Sequence, residues 1–182
     1  HLLFINLLTD SLPAIAIGME KSRKDLLKAA PRNSNESILT KDFMIEITIE
    51  GFLIAIFTLI AYHIGLSIGN SVAQTMAFST LCLARLFHGF NCRGKKSIFA
   101  LGVFSNKFSW YAFGTGLVLL NLVLFVPPLQ HLFEVAKLDA TLVAAIYLLA
   151  FLPTFIIQIY KVFVNDMEKD EENANLNEGL NI

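Results

Sequence analysis

The stretch NLLTDSLP, residues 6–13, places a group of polar side chains inside an apolar run. On a helix, Asn6 and Asp10 lie four residues apart and Thr9 lies three from Asn6, so the three side chains share one face. Pro13 has no N–H, and the hydrogen bond that it removes would have gone to the carbonyl of Thr9. The pattern therefore predicts a half-unwound helix with polar groups on one side.

These groups suit the binding of a hard cation. A carboxylate, an amide, a hydroxyl and a released backbone carbonyl are all oxygen ligands of the kind that Ca²⁺ accepts. Irregular backbone is tolerated at membrane depth where it lines such a site. If the stretch lies in a membrane, its oxygens are candidate ligands for a transported ion.

Composition places the chain among membrane proteins. Of its 182 residues 55% are apolar, and the mean hydropathy of +0.60 exceeds that of an ordinary soluble domain. The net charge of −1 gives no indication of a nucleic-acid partner. Cys82 and Cys92 are expected to be free thiols. Because the chain starts in an apolar stretch without an initiator methionine or a signal peptide, we expect it to be part of a longer protein.

The hydropathy pattern predicts an all-α, polytopic membrane bundle of five transmembrane helices over residues 1–164. The predicted spans are 1–18, 43–66, 72–91, 108–129 and 140–164.

Basic residues predict the orientation of these spans. They concentrate in the loops 19–42 and 93–107, which we therefore expect on the cytoplasmic side of the cell membrane. With alternating spans, the C-terminus is then cytoplasmic too. The tail, 165–182, is acidic and rich in asparagine, which predicts disorder.

A few ionisable residues fall inside the predicted spans. Glu46 and Glu50 lie one turn apart near the start of their span; they are possible ligands, but a position at the headgroups or facing the bundle is favoured. Arg85 at mid-depth is costly, so it should face the protein and find a partner, unless it extends to the cytoplasmic surface. His88 has no second histidine at metal-ligand spacing and is expected to be a packing residue.

The opening stretch, followed by Ala14 and by GME at 18–20, resembles the sixth transmembrane helix of the P-type cation-transporting ATPases, within the P2 group that includes the calcium pumps. QTMAF at 74–78 and LFHGFNCR at 86–93 are similar to the eighth helix of bacterial calcium-pump homologues. VPPLQ at 126–130 resembles the outer end of their ninth helix. The resemblance covers residues 1 to about 164 and implies that the five spans are helices six to ten.

This resemblance implies a site and a cargo. Asn6, Thr9 and Asp10 would coordinate the transported ion together with residues of helices four, five and eight. The ion would be Ca²⁺, with Mn²⁺ as the second choice, and it would be exported from the cytoplasm.

The resemblance also implies what this chain needs from elsewhere. The sequence contains no D-K-T-G-T phosphorylation motif, ATP-binding domain or actuator domain. ATP and Mg²⁺ would therefore bind only to the full-length protein, and the chain alone is not expected to be an enzyme. Its partners would be the lipid bilayer and the N-terminal part of the same chain, with helices one to five and the cytoplasmic domains.

One position departs from the family. Where the animal reticulum calcium pumps carry a glutamate ligand in the eighth helix, and many bacterial relatives an amide, this chain has Arg85. A guanidinium cannot ligate Ca²⁺, but it can take the place of a second ion and pair with a carboxylate such as Asp10. We therefore expect Arg85 to tune the site and the full pump to move one Ca²⁺ per cycle.

Other interpretations stay open from the residues. The chain can be part of a secondary transporter whose broken helix forms a site at the membrane midplane. It can also be a purely structural bundle in which Asn6, Thr9 and Asp10 only make interhelical hydrogen bonds, although a buried aspartate is then costly. The basic loop 19–42 either anchors the protein against anionic lipid or, by resemblance, contacts the phosphorylation domain.

Overall fold

The computed structural model describes residues 1, 4, 10–20 and 39–179, without the side chains of Asp42 and 165–179. Within these residues the regular structure is helical, which confirms the predicted all-α membrane bundle. The helices are α1 (Ser11–Gly18), α2 (Lys41–Leu66), α3 (Asn70–Asn91), α4 (Ile98–Leu101), α5 (Lys107–Phe125), α6 (Pro127–Leu132) and α7 (Ala140–Gly179).

Three helices of the described part are long and apolar enough to cross a membrane, over Phe43–Leu66, Lys107–Phe125 and Ala140–Val164. The first of these spans leaves large apolar side chains such as Phe52 and Leu59 exposed on the isolated bundle. A lipid environment accounts for such a surface, because hydrocarbon chains cover it without cost. These helices make the protein a multi-pass membrane protein.

Helix α3 covers the predicted span 72–91 but is more polar than the other long helices, since it carries side chains such as Gln74 and Arg85. It packs against α1, α2, α5 and α7. Met76, Leu83 and Leu86 on it are almost fully buried. A central position explains how this helix holds polar groups in a membrane bundle, because protein surrounds them in place of lipid.

The turn between α2 and α3 is tight because Gly65 lets the two backbones approach. A Cβ atom at Gly65 would lie 2.6 Å from the Cα of Ala73. The N–H groups of Ile68 and Gly69 both donate to the Gly65 carbonyl at 3.0 Å, which closes the turn. The short connection fixes α2 antiparallel to the central helix.

The span predicted over 108–129 is two helices. Helix α5 ends at Phe125, and α6 begins at Pro127 after an extended Val126 with φ −92° and ψ 113°. A residue before proline is driven out of the helical region, and a proline fits the first position of a new helix. The helix boundary therefore lies four residues before the predicted one.

Helix α7 continues beyond the predicted span to Gly179, and the disorder predicted for the tail, 165–182, stays a prediction. The segment after Val164 contains Glu, Lys, Ala and Leu, which are good helix formers, and it has no proline. A helix that already exists adds further residues without a new nucleation step. Of the first predicted span, 1–18, the structure describes α1 and a few residues before it.

Candidate functional site

Asp10 lies directly before α1, where it is the N-cap residue, and faces the central helix. Its Oδ2 lies 3.0 Å from Nη1 of Arg85 on α3. Both side chains keep 38% of their surface accessible, so the ion pair leaves part of the carboxylate open to another ligand. The arginine thus contacts the carboxylate that the sequence analysis names as a candidate partner.

The structure describes only some of the other predicted site residues. Asn6 and Thr9 lie outside the described residues, and their role as ligands stays a prediction. Pro13 lies in α1, and its role in unwinding the helix stays a prediction, because Thr9 is not among the described residues. The Pro13 ring packs against α3 at Gly89, where a Cβ atom would come within 3.1 Å of the Pro13 Cβ. The glycine allows α1 to lie close to the central helix at this point.

A second polar region lies between α2, α3 and α7, around a cavity of about 810 Å³ that Arg85 also lines. Glu50 Oε2 lies 3.5 Å from Nε2 of His88, and Glu46 Oε1 lies 3.8 Å from Nζ of Lys161. Both glutamates of α2 are therefore directed toward ionisable partners inside the bundle. Among the described residues, no group of three His, Cys, Asp or Glu side chains could hold a metal ion.

The end of α1 carries a polar cluster that the sequence analysis missed, formed by Glu20, Arg93, Ser105 and Asn106; we call it the Glu20 cluster. The Arg93 side chain is completely buried. It donates from Nε and Nη2 to the two Glu20 carboxylate oxygens at 3.0 and 2.9 Å. It also donates to Ser105 Oγ at 2.6 Å and to the Gly102 carbonyl at 3.4 Å.

Asn106 connects this cluster to two helices. Its Nδ2 donates to the Ala16 carbonyl of α1 at 2.9 Å and to Glu20 Oε2 at 2.7 Å. Its Oδ1 accepts from the N–H groups of Phe108 and Ser109 at 2.9 and 3.3 Å, which caps α5. One amide thus joins the end of α1 to the start of α5.

The surroundings lower the pKa of Glu20. The hydrogen bond from Arg93 is the main cause, and the hydrogen bond from Asn106 and the positive charge of Arg93 act in the same direction. Burial opposes them by disfavouring the charged form. Glu20 is therefore held as a carboxylate. In the sequence, Glu20 follows one apolar span and Arg93 follows another. The sequence pattern alone does not show that two residues so far apart form a pair.

The chain was compared with known proteins. Residues 1–163 match the family model "Cation transporting ATPase, C-terminus". The chain is 33% identical over 160 residues to a calcium-transporting ATPase of Bacillus subtilis, which covers 86% of this chain and 18% of that protein. It is 41% identical over 140 residues to one of Listeria monocytogenes, covering 74% and 15% respectively.

Similarity extends to animal proteins. The chain is 30% identical over 179 residues to the mouse calcium-transporting ATPase type 2C member 1, which covers 96% of this chain and 19% of that protein. The chain thus spans under a fifth of the length of each of these relatives. The match over nearly all of the membrane bundle shows that the chain belongs to the family of cation-transporting P-type ATPases and corresponds to the C-terminal membrane region of its members.

Proposed function

We propose that this chain is the ion-binding and scaffold part of an ATP-driven pump that exports Ca²⁺ from the cytoplasm across the cell membrane. The observation that carries the proposal is the position of Asp10, which begins α1 against the polar central helix of a cation-transporting ATPase bundle. The names of the bacterial relatives support Ca²⁺ as the ion. Mn²⁺, which accepts similar oxygen ligands, is the second choice.

In this proposal Asp10 supplies a carboxylate ligand, and Asn6 and Thr9 supply the amide and hydroxyl oxygens. Helices α2, α3, α5 and α7 form the scaffold that holds them. ATP and Mg²⁺ act in the cytoplasmic domains of the full-length protein, which the N-terminal part of the chain provides. The loops 19–42 and 93–107 and the C-terminus face the cytoplasm, in agreement with their basic residues.

We further propose that the pump carries one Ca²⁺ per cycle. The Arg85 guanidinium lies 3.0 Å from Asp10 and already supplies one positive charge to that carboxylate. A second divalent ion beside it would experience repulsion from a charge that cannot be removed at physiological pH. The number of Ca²⁺ ions transported per ATP hydrolysed by the full-length protein measures this directly, and a value of two contradicts it.

The test of the function is the ATPase activity of the full-length protein in the presence of each cation in turn. We expect stimulation by Ca²⁺ and a large loss of apparent Ca²⁺ affinity in Asp10→Asn. The matched control is Asp139→Asn, because Asp139 accepts a hydrogen bond from the Leu142 N–H at the exposed start of α7 and asparagine caps a helix equally well. An unchanged ion dependence in Asp10→Asn would remove Asp10 from the site, and transport without ATP would favour a secondary transporter.

A further inference from the structure

The segment 10–20 is attached at its start to the central helix and at its end to the turn that directly follows this helix. At its start, Asp10 contacts Arg85 at 3.0 Å. At its end, Glu20 receives two hydrogen bonds from Arg93 at 2.9 and 3.0 Å. Arg85 lies on α3 and Arg93 lies two residues after Asn91, at which that helix ends, so the segment runs along one side of α3 and past its C-terminal end.

The middle of the segment is in contact with the same side. Gly89 lies four residues from each arginine, and its missing side chain leaves room for Pro13. The start and the middle of the segment therefore contact two positions of α3 that are four residues apart, and its end contacts Arg93 in the turn that follows α3. The geometry allows one axial position of α1, since a shift along α3 would break all three contacts together.

The contact at the end of the segment is the strongest of the three. The Arg93 side chain is fully buried, and each of its three nitrogens donates to an oxygen acceptor. Paired, charge-assisted hydrogen bonds of this kind have strict geometry. Asn106 adds a bond to the Ala16 carbonyl, within the last turn of α1. By comparison, the Asp10–Arg85 pair is a single contact between partly exposed groups.

We propose that Glu20 and Arg93 are a positioning pair, which fixes the axial position of α1 on the central helix and thereby holds Asp10 against Arg85. Helix α1 joins Asp10 to the segment that carries Glu20 without a break over residues 11–18. As a short rigid piece, it transmits a displacement at Glu20 to Asp10. The pair lies outside the ion site and acts on it through the position of α1. This inference rests on the proposed function only in what it says about the ion.

The positioning itself is tested without any ion. Asp10 and Glu20 are separated by the length of α1 and bind different arginines. Substitutions at such distant sites add independently unless one structural element couples them. In the full-length protein, we expect the melting temperature of the double variant Asp10→Asn/Glu20→Ala to fall by less than the sum of the two single shifts. Additive shifts would overturn the proposal, whatever ion the protein carries.

The consequence for the ion is tested by equilibrium binding of radioactive Ca²⁺ without ATP, and by the Ca²⁺ dependence of the ATPase rate. Partners that orient metal ligands indirectly contribute about 10- to 100-fold to affinity, and we expect Glu20→Ala to weaken Ca²⁺ binding about tenfold with a nearly unchanged maximal rate. Glu20→Gln, which keeps the shape and part of the hydrogen bonding, should give an intermediate shift.

Gly89→Ala provides an independent variant in case Glu20→Ala fails to fold. It removes no polar contact, but the added Cβ would displace Pro13 by a few tenths of an ångström. The same loss of affinity is expected from it. Tyr147→Phe is the control, because it breaks a hydrogen bond to Asn121 between α5 and α7, away from α1. Lower melting temperatures with unchanged Ca²⁺ affinity in both Glu20→Ala and Gly89→Ala would overturn the role at the ion site.

Discussion

The fully buried Arg93 guanidinium is stable in this protein because a carboxylate and further hydrogen-bond acceptors surround it. Arg93 donates to Glu20, Ser105 and the Gly102 carbonyl, so each of its three nitrogens has an acceptor. Burying an ion pair costs desolvation on both partners, and the arrangement is favourable only when the geometry and the remaining hydrogen bonds are satisfied. Loss of either charged partner therefore leaves the other in a poor environment.

The lowered pKa of Glu20 predicts how stability depends on pH. Since Arg93 binds the charged form, the contribution of this carboxylate is fully present above its ordinary pKa of 4.5 and is lost as the pH falls through the lowered folded value. We expect the difference in melting temperature between the wild type and Glu20→Gln to be constant near neutral pH and to shrink in acid. A thermal denaturation series of the full-length protein measures it; a difference that grows on acidification would contradict the assignment.

The sequence predicted one of the two arginine contacts, between Arg85 and Asp10. An arginine at mid-depth in a membrane must find a partner, and Asp10 was a natural candidate for Arg85 because both fall within predicted spans. The sequence did not predict the Arg93–Glu20 pair, because both residues lie at span ends, where charged side chains are ordinarily solvated. Only the fold shows that these two ends meet.

Among the helices, α7 stabilises the C-terminal end of the central helix α3 through hydrogen bonds. Lys161 Nζ donates to the carbonyls of Asn91 and Gly94 at 2.8 and 3.1 Å. One turn earlier on α7, Gln158 donates to the Asn91 side chain at 2.6 Å and accepts from the Ile98 N–H at 2.9 Å. A cation among the terminal carbonyls of a helix is favourable for the helix dipole as well. The last helix thus fixes both the end of α3 and the loop that carries Arg93.

Lys161→Met should therefore destabilise the bundle. It removes the lysine donor from the buried Asn91 carbonyl and the part-buried Gly94 carbonyl, and an unsatisfied buried group costs about 1–3 kcal/mol. We expect a clearly lower melting temperature for the full-length protein in detergent. Lys161→Arg, which keeps the charge and the donors, should lie close to the wild type, and the exposed Lys107→Met should have little effect. Equal melting temperatures for Lys161→Met and the wild type would mean that water replaces the lysine at these carbonyls.

The whole molecule is arranged around a polar helix that apolar helices surround. Helices α2, α5 and α7 have the length and composition of membrane spans, whereas α3 is more polar and carries Arg85 and His88 in the interior. Helix α1 lies against α3 and α5. Such a division keeps charged groups away from lipid while the outer helices provide the apolar surface that the bilayer requires.

The proposed orientation predicts which loops can be labelled from outside. After Cys82 and Cys92 are replaced by serine, a cysteine is introduced either at Ser67, in the turn without basic residues, or at Lys96, in the basic loop. Since basic loops stay on the cytoplasmic side, a membrane-impermeant maleimide should label Ser67→Cys in intact cells and Lys96→Cys only after permeabilisation. The reverse pattern would invert the topology.

The sequence by itself determined the class of the protein and most of its helices. Hydropathy is a local property, so the spans of α2, α3 and α7 can be located from the chain alone, whereas the span predicted over 108–129 missed the break after Phe125. The NLLTDSLP stretch likewise carries its candidate ligands in a local pattern. Only the tertiary structure decided which span ends meet, because a contact such as Glu20–Arg93 joins residues 73 positions apart and depends on how the helices pack, which no local pattern encodes.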